Sequence, residues 1–283
     1  MKSLQSLRHF YARYVTETAG VRNPRILEAY AEVAREDYVG LGPWNVSVGD
    51  AYISTETADA CVLYQDILIG LAPQKALNNG QPSFHAMCLA EADPLVGDVV
   101  IHVGAGTGYY TAILAHLVKQ AGHVHAYEIE PELAARALRN LEQQRNVTLR
   151  AQSALLSGLP LANVIYVNAG ATHVPAVWLD ALALGGRLVL PLTPEEREGC
   201  MLLVTRKAEA AYAARIFSTA AVFPCLGARD KAQSAVLAAA LDTSSGEAVR
   251  SLRRGDRPDS SAWCIGSGWW LSTEGVPLAS AAL

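Results

Sequence analysis

The sequence predicts an α/β fold, a doubly wound and mostly parallel seven-stranded sheet with a helical segment before it and an appendage after it. Two observations support this. Short, β-branched apolar runs alternate with stretches of helical apolar spacing between residues 99 and 192. A cluster of glycines follows the first of these runs and opens a helix. With 51% apolar and 18% charged residues, the 283-residue chain can bury a full core.

The glycine cluster is the most informative stretch of the chain. Val99–Val103 is typical of a buried strand, and Thr111–Val118 has helical apolar spacing. The turn between them has G-x-G-x-G spacing and consists of Gly104, Ala105, Gly106, Thr107, Gly108 and Tyr109. Glycines let the backbone turn sharply and let a ligand approach without meeting a Cβ, while the helix N-terminus offers unpaired N–H groups.

An acidic residue at the end of the next strand strengthens the nucleotide-site interpretation. The predicted strand His123–Ile129 contains Glu128, roughly 20 positions after the glycines, where a carboxylate can accept from two ribose hydroxyls. The alternative is a solvated strand end. Dinucleotide sites favour G-x-G-x-x-G, so a nicotinamide oxidoreductase is disfavoured. The observed spacing resembles motif I of the class I S-adenosylmethionine-dependent methyltransferases.

The composition restricts the classes of binding partner and the cellular compartment that we expect. A net charge of −4 argues against tight nucleic-acid binding, and no apolar run reaches the roughly 18 residues of a membrane span. The N-terminus has charges where a signal peptide needs an apolar core. Five scattered cysteines without C-x-x-C spacing predict no metal site and fit a cytoplasmic protein.

The segments on either side of the glycine cluster complete the alternation. Before it, Asn23-Pro24 predicts a capped helix over Arg25–Tyr38, residues 40–50 and 72–83 predict loops, and Phe84–Ala92 predicts a helix. After it, the predicted elements are the helix Pro131–Gln144, the strands Val147–Ala151 and Val164–Asn168, the helix Val177–Leu184 closed by Gly185-Gly186, the strand Arg187–Leu192, and an antiparallel pair from Met201–Thr205 and Ala214–Phe223.

Residues after about 227 do not continue the alternation. They predict helices over Ala232–Leu241 and Glu247–Arg253 and a hairpin over Trp263–Ser272. Three tryptophans in that hairpin predict packing onto the core or onto a second copy of the chain, so a homo-oligomer through this appendage is a candidate assembly. The predicted division is an N-terminal helical segment 1–75, a ligand-binding core 76–226 and an appendage 227–283.

Several motifs in the same order resemble the protein-L-isoaspartate (D-aspartate) O-methyltransferase family over about residues 20 to 228. They are Tyr64-x-Asp66, Gln81-Pro82, the glycine motif Val99–Tyr109, Glu128, Asn168–Pro175, the G-G-R-L-V-x-P run Gly185–Pro191, and Phe223-x-x-Leu226. The resemblance implies S-adenosyl-L-methionine as the cofactor, bound by the glycine turn and Glu128.

The chain departs from the family pattern at the site. Gly80 stands where the family has a serine whose hydroxyl contacts the substrate carboxylate. His102 replaces a glutamate that helps to position the donor, and Ser153 stands about where an aspartate receives the adenine amine. Asn168 opens the small-residue turn on the donor side. These departures put isoaspartyl recognition in doubt and leave the donor half in place.

The acceptor-side candidates lie in one loop and the helix after it: Asn78, Asn79, Gly80, Gln81 and His85. The alternative for the loop is an Asx-rich turn that bonds its own backbone. His85 is a candidate general base with a pKa near neutrality, and the alternative is a packed surface histidine.

The functional hypothesis is therefore a methyltransferase that transfers a methyl group to a carboxylate or other nucleophile of a peptide or small molecule. The alternative is a non-catalytic S-adenosylmethionine-binding protein with the same fold.

Overall fold

The structure is a computed structural model that describes residues 4–49, 51–75, 77–195 and 197–276. The chain forms two compact units, residues 1–152 and 153–283. None of the helices in the described ranges is long and apolar enough to cross a membrane.

The first unit begins with helices α1 (Leu4–Thr18), α2 (Pro24–Glu32) and α3 (Glu36–Val39). As predicted, Asn23 caps α2, accepting from the Arg25 backbone N–H at 3.0 Å. The single helix predicted over 25–38 is wrong, because Val33 takes an extended conformation. The break lets Arg35 enter the core, where its side chain is fully buried.

Two short hairpins lie before the parallel sheet. β1 (Asn45–Val48) pairs with β2 (Ala51–Ser54), and β3 (Gly70–Ala72) pairs with β4 (Leu77–Asn78). The strands β1 and β4 fall within the ranges 40–50 and 72–83 that the sequence predicts as loops. A bridge between Val46 and Ile69 joins the hairpins. Strands this short depend on tertiary partners, so composition alone does not predict them.

The parallel sheet of the first unit consists of β5 (Val99–Val103), β6 (His123–Tyr127) and β7 (Val147–Arg150) in that order. Helices α4 (Pro82–Ala92), α5 (Tyr109–Val118) and α6 (Pro131–Asn140) accompany it, close to the predicted ranges. Val100 and Ile101 are fully buried, which agrees with an apolar strand covered on both faces.

The second unit contains seven of the strands and two helices that the structure describes. They are β8 (Ala162–Val167), α7 (Ala176–Ala181), β9 (Leu182–Leu192), β10 (Gly199–Ala208), β11 (Ala211–Ala220), α8 (Lys231–Thr243), β12 (Ser251–Arg254), β13 (Ala262–Gly266) and β14 (Trp269–Ser272). The strand order is β13-β14-β12-β11-β10-β9-β8. β8 and β9 are parallel, and the other pairs are antiparallel. The predicted α/β class is confirmed.

The second unit corrects two predictions. Gly185 and Gly186 lie inside β9 instead of closing a helix. The helix predicted over 247–253 is wrong, because this segment leads into β12, whose Leu252 pairs with Tyr212 of β11 and Leu271 of β14. Pairing between strands distant in sequence outweighs the local helical spacing.

The predicted C-terminal hairpin is present as β13 and β14. Trp269 and Trp270 are buried at 4% and 7% exposure within the chain itself, and Trp263 is half-buried. These rings therefore supply core contacts of their own unit, the first of the two roles that the sequence allows.

Candidate active site

The glycine turn after β5 has the conformation that its sequence predicts. Gly104, Gly106 and Gly108 have φ of +78°, +57° and +100°, a region that side chains disfavour. The Tyr127 carbonyl accepts from the N–H groups of Gly104 and Ala105 at 2.9 and 3.0 Å. The end of β6 therefore fixes the start of the turn.

Two of the glycines are needed for different reasons. A Cβ on Gly108 would lie 2.9 Å from Leu141 Cδ1, so this glycine permits close packing against the residue after α6. Among the residues that the structure describes, a Cβ on Gly106 would meet only Leu71 Cδ1, at an ordinary 3.6 Å. Close packing by these residues is therefore not what requires a glycine at position 106.

The other turn residues are buried. Ala105, Thr107 and Tyr109 are 6%, 2% and 2% exposed. The Thr107 carbonyl accepts from Asn140 Nδ2 at 2.8 Å, and the Tyr109 ring packs beside Tyr110 with centroids 5.1 Å apart. These contacts anchor the turn to α6 and to the first turn of α5.

Glu128 lies against the glycine turn. Its Oε2 accepts from the Gly106 backbone N–H at 2.6 Å, and its Oε1 accepts from the Glu130 N–H at 2.9 Å. The side chain is 7% exposed, which excludes the solvated strand end. Burial raises the pKa of Glu128 above its usual value, although the backbone N–H donors oppose this.

His102 is fully buried inside the parallel sheet. Its Nδ1 lies 2.8 Å from Thr111 Oγ1 on α5. The imidazole therefore links β5 to the helix that follows the glycine turn.

In the loop predicted to meet the acceptor, three side-chain amide atoms of Asn78 and Asn79 form hydrogen bonds within the first unit, while Asn79 Nδ2 is buried without a partner among the described residues. Asn78 Oδ1 accepts from the Gly80 N–H at 2.9 Å, and Asn78 Nδ2 donates to the Tyr52 hydroxyl at 3.1 Å. Asn79 pairs with Ile69 twice, through its Oδ1 at 2.8 Å and its N–H at 3.0 Å. The Asx-turn alternative describes this loop well.

Asp66 holds the start of α4. Its carboxylate accepts from Gln81 Nε2 at 2.9 Å, from the Ser83 N–H at 2.8 Å and from Ser83 Oγ at 2.6 Å. The sequence marks Asp66 only as part of the Y-x-D match. Asp66 lies sixteen residues before Pro82, the first residue of this helix, so no local pattern indicates that it holds the helix start.

Arg35 fixes the segment that carries Asp66. Its guanidinium donates to the carbonyls of Leu63 and Ile67 at 2.6 and 2.7 Å and to that of Gln65 at 2.9 Å. No sequence pattern singled out this residue, because three backbone acceptors from a distant loop leave no signature. Arg35 and Asp66 together position the loop and helix that the sequence predicts to meet the acceptor.

His85 is a core residue, not a surface one. It is 6% exposed, and its ring stacks on Tyr110 with centroids 3.7 Å apart and planes at 20°. Burial, helped by the neighbouring His102 and Arg35, lowers the pKa of His85 to about 3. The pKa therefore lies below the near-neutral value that the sequence predicts, and burial favours the neutral imidazole.

Ser153 and Asn168 belong to the second unit. Both are half-buried, and Ser153 Oγ accepts from the Leu155 N–H at 3.2 Å. Asn168 follows directly after β8, whereas the sequence predicts it as the last residue of that strand.

Comparison with known proteins identifies the family of this chain. The model of the protein-L-isoaspartate (D-aspartate) O-methyltransferase family matches residues 13–229. The chain belongs to that family. The segment from α8 onward lies beyond the match. Family membership makes the chain a methyltransferase that uses S-adenosyl-L-methionine.

Individual relatives agree with this family. The chain is 30% identical over 194 residues to the protein-L-isoaspartate O-methyltransferase of Protochlamydia amoebophila, covering 66% of this chain and 81% of that protein. It is 31% identical over 232 residues to protein-L-isoaspartate O-methyltransferase 2 of Marinobacter nauticus, covering 80% and 95%.

Solved structures share the isoaspartyl methyltransferase fold. A protein-L-isoaspartate O-methyltransferase structure aligns with a TM-score of 0.66 at 22% identity, covering 78% of this chain and 66% of that one. A Plasmodium falciparum protein assigned to the same family, solved with S-adenosyl-L-homocysteine, aligns with a TM-score of 0.62 at 17% identity, covering 79% and 98%.

Proposed function

We propose that this protein transfers a methyl group from S-adenosyl-L-methionine to a carboxylate or other nucleophile of a peptide or small molecule. The observation that carries this is the 2.6 Å contact of Glu128 with the Gly106 N–H, beside a turn of three glycines with positive φ. A carboxylate there can accept from ribose hydroxyls, and the N-terminus of α5 adds N–H groups.

The residues present fit this donor. Gly106 has no side chain and so admits a ligand close to the backbone, and Glu128 and the turn would hold its ribose and amino-acid portions. When bound, the donor supplies an electrophilic methyl group on a sulfonium. The protein then has to align an acceptor for in-line attack, and a carboxylate acceptor needs no general base.

The residues of the acceptor loop support a methyl acceptor different from that of the family. The named relatives are isoaspartate methyltransferases. In this chain Gly80 offers no side chain, and the low pKa of His85 leaves its ring uncharged at neutral pH. We therefore propose that turnover of isoaspartyl peptides is low and that another carboxylate, hydroxyl or amine is the natural acceptor.

We also propose that the protein acts in the cytoplasm without a nucleic-acid or membrane partner. All five cysteines are free thiols, four of them buried, which suits a reducing compartment. Self-association through residues 227–283 remains a proposal, and sedimentation at several concentrations measures it directly.

Calorimetric titration separates the classes of function. A methyltransferase of this kind binds S-adenosyl-L-homocysteine and S-adenosyl-L-methionine and does not bind NAD. Absence of binding to both adenosyl ligands would contradict the proposal.

The non-catalytic alternative predicts donor binding without methyl transfer. A screen of peptide, small-molecule and protein acceptors with methyl-labelled donor distinguishes the two. Tight donor binding without label transfer to any acceptor class would favour the binding protein.

A further inference from the structure

The imidazole of His85 occupies the space that a side chain at position 80 would need. An ideal Cβ on Gly80 would lie 2.7 Å from His85 Cδ2, closer still to Nε2, and 3.4 Å from Cε1. Real Cβ atoms do not approach other atoms this closely, so one of the two groups has to move.

The imidazole has little freedom to move. Its stacking on Tyr110 and its 6% exposure hold one face of the ring. Gly80 is held as well, because its N–H donates to Asn78 Oδ1 at 2.9 Å and its carbonyl lies 3.4 Å from the Tyr110 hydroxyl. Tyr110 therefore contacts both members of the pair, and α5 fixes them against each other.

We infer that Gly80 and His85 form a specificity-determining pair, in which the imidazole takes the side-chain space of residue 80 and excludes an acceptor-binding hydroxyl there. This inference rests on the proposed function. It gives a cause for the expected low isoaspartyl turnover. Gly80 lacks a hydroxyl, and His85 also fills the space that a serine side chain at this position would need.

The inference predicts different isoaspartyl activities for two single variants and their double variant. Gly80→Ser alone places its Cβ against the imidazole, so it gains no isoaspartyl activity. His85→Ala alone opens space but supplies no hydroxyl. The double variant Gly80→Ser/His85→Ala supplies both. A hydrogen bond to a charged group gives one to two decades in rate, so we expect a gain of roughly tenfold or more over either single variant.

The matched control is Gly80→Ala/His85→Ala. It has the same Cβ and the same backbone strain at φ +75° but no hydroxyl. All five proteins are assayed as the full chain on an isoaspartyl peptide with labelled donor. A double serine variant no faster than the double alanine control overturns the inference, and so does wild-type turnover equal to that of the double serine variant.

A second measurement tests the steric part without any acceptor. Gly80→Ala should lower the Tm more in the wild-type background than in the His85→Ala background, because only the former contains the clash, while the strain at positive φ is common to both. Equal losses in the two backgrounds would overturn the pairing. Titration of the wild-type protein and each variant with S-adenosyl-L-homocysteine distinguishes failure of the proposed function from failure of the Gly80–His85 inference. A wild-type protein that does not bind this ligand would contradict the proposed function alone.

Discussion

Glu128 Oε2 accepts the backbone N–H of Gly106 at 2.6 Å, so the acid at the end of β6 and the glycine turn after β5 form one unit. This contact gives the carboxylate two tasks. It shapes the turn before a ligand arrives, and it presents oxygen lone pairs beside Gly106. Both tasks depend on the negative charge, because a backbone N–H bonds more strongly to an ionised acceptor.

Glu128→Gln should weaken binding of S-adenosyl-L-homocysteine by about tenfold or more, because charge-assisted hydrogen bonds are worth about 1.5–3 kcal/mol. Isothermal titration measures the change. Glu130→Gln is the matched control, since Glu130 Oε1 forms a surface ion pair with Lys75 at 2.7 Å and should leave the affinity unchanged. Equal affinities for wild type and Glu128→Gln would show that the ribose is held elsewhere.

Gly106→Val should abolish donor binding at a small cost in stability. Its side chain would occupy the position proposed for the donor, where Leu71 Cδ1 is the nearest neighbour among the described residues, at 3.6 Å from the Cβ. Strain at φ +57° costs roughly 1–2 kcal/mol. Gly97→Ala, at φ +90° with open space around its Cβ, controls for that strain. Wild-type donor affinity in Gly106→Val would contradict the assignment of the turn.

Arg35→Met should lower the free energy of unfolding by several kcal/mol. The substitution leaves the carbonyls of Leu63, Gln65 and Ile67 without their buried donor, at about 1–3 kcal/mol for each unsatisfied group. Urea unfolding measures the loss. Arg13→Met is the control, because Arg13 is exposed on the same unit and should stay within about 0.5 kcal/mol. Equal free energies of unfolding for the two variants would show that Arg35 does not position this segment.

The buried His85 should make stability fall as the solution is acidified. The unfolded chain takes up a proton on this residue near pH 6.5, whereas in the folded protein the pKa is lowered to about 3. The unfolded state therefore binds more protons between these values, so this contribution is complete above pH 6.5 and is lost as the pH falls toward 3. His85→Gln should show a shallower fall in unfolding free energy over pH 6.5–4. Identical slopes would mean that the imidazole ionises in the folded protein.

Truncation after Leu226 should cost solubility, because it removes β12 from the edge of β11 and the buried rings of Trp269 and Trp270 from their unit. The glycine turn and Glu128 lie in the other unit, so the first unit should keep its donor-binding residues. Size-exclusion chromatography and donor titration measure the two effects. A soluble truncated protein with unchanged Tm would make the C-terminal segment dispensable.

Local patterns in the sequence predict the strand, glycine turn and helix that we propose as the donor site. An apolar strand, a glycine turn and a helix follow one another within twenty residues, so their geometry is set by neighbours in the chain. The same holds for the Asn23 cap and the C-terminal hairpin, which depend on contacts between residues close in sequence. The family resemblance then identified the methyl donor as S-adenosyl-L-methionine, because the family's motifs occur in the same order over most of the chain.

Only the tertiary structure revealed the contacts of the predicted acceptor loop and the strand pairing at the edge of the second unit. Arg35 finds its acceptors about 30 residues away, β12 finds its partners in β11 and β14, and His85 loses its expected pKa through burial. The exclusion of a side chain at position 80 likewise depends on how α4 and α5 fix the imidazole. Burial and packing between distant segments are properties of the folded chain, and no local pattern encodes them.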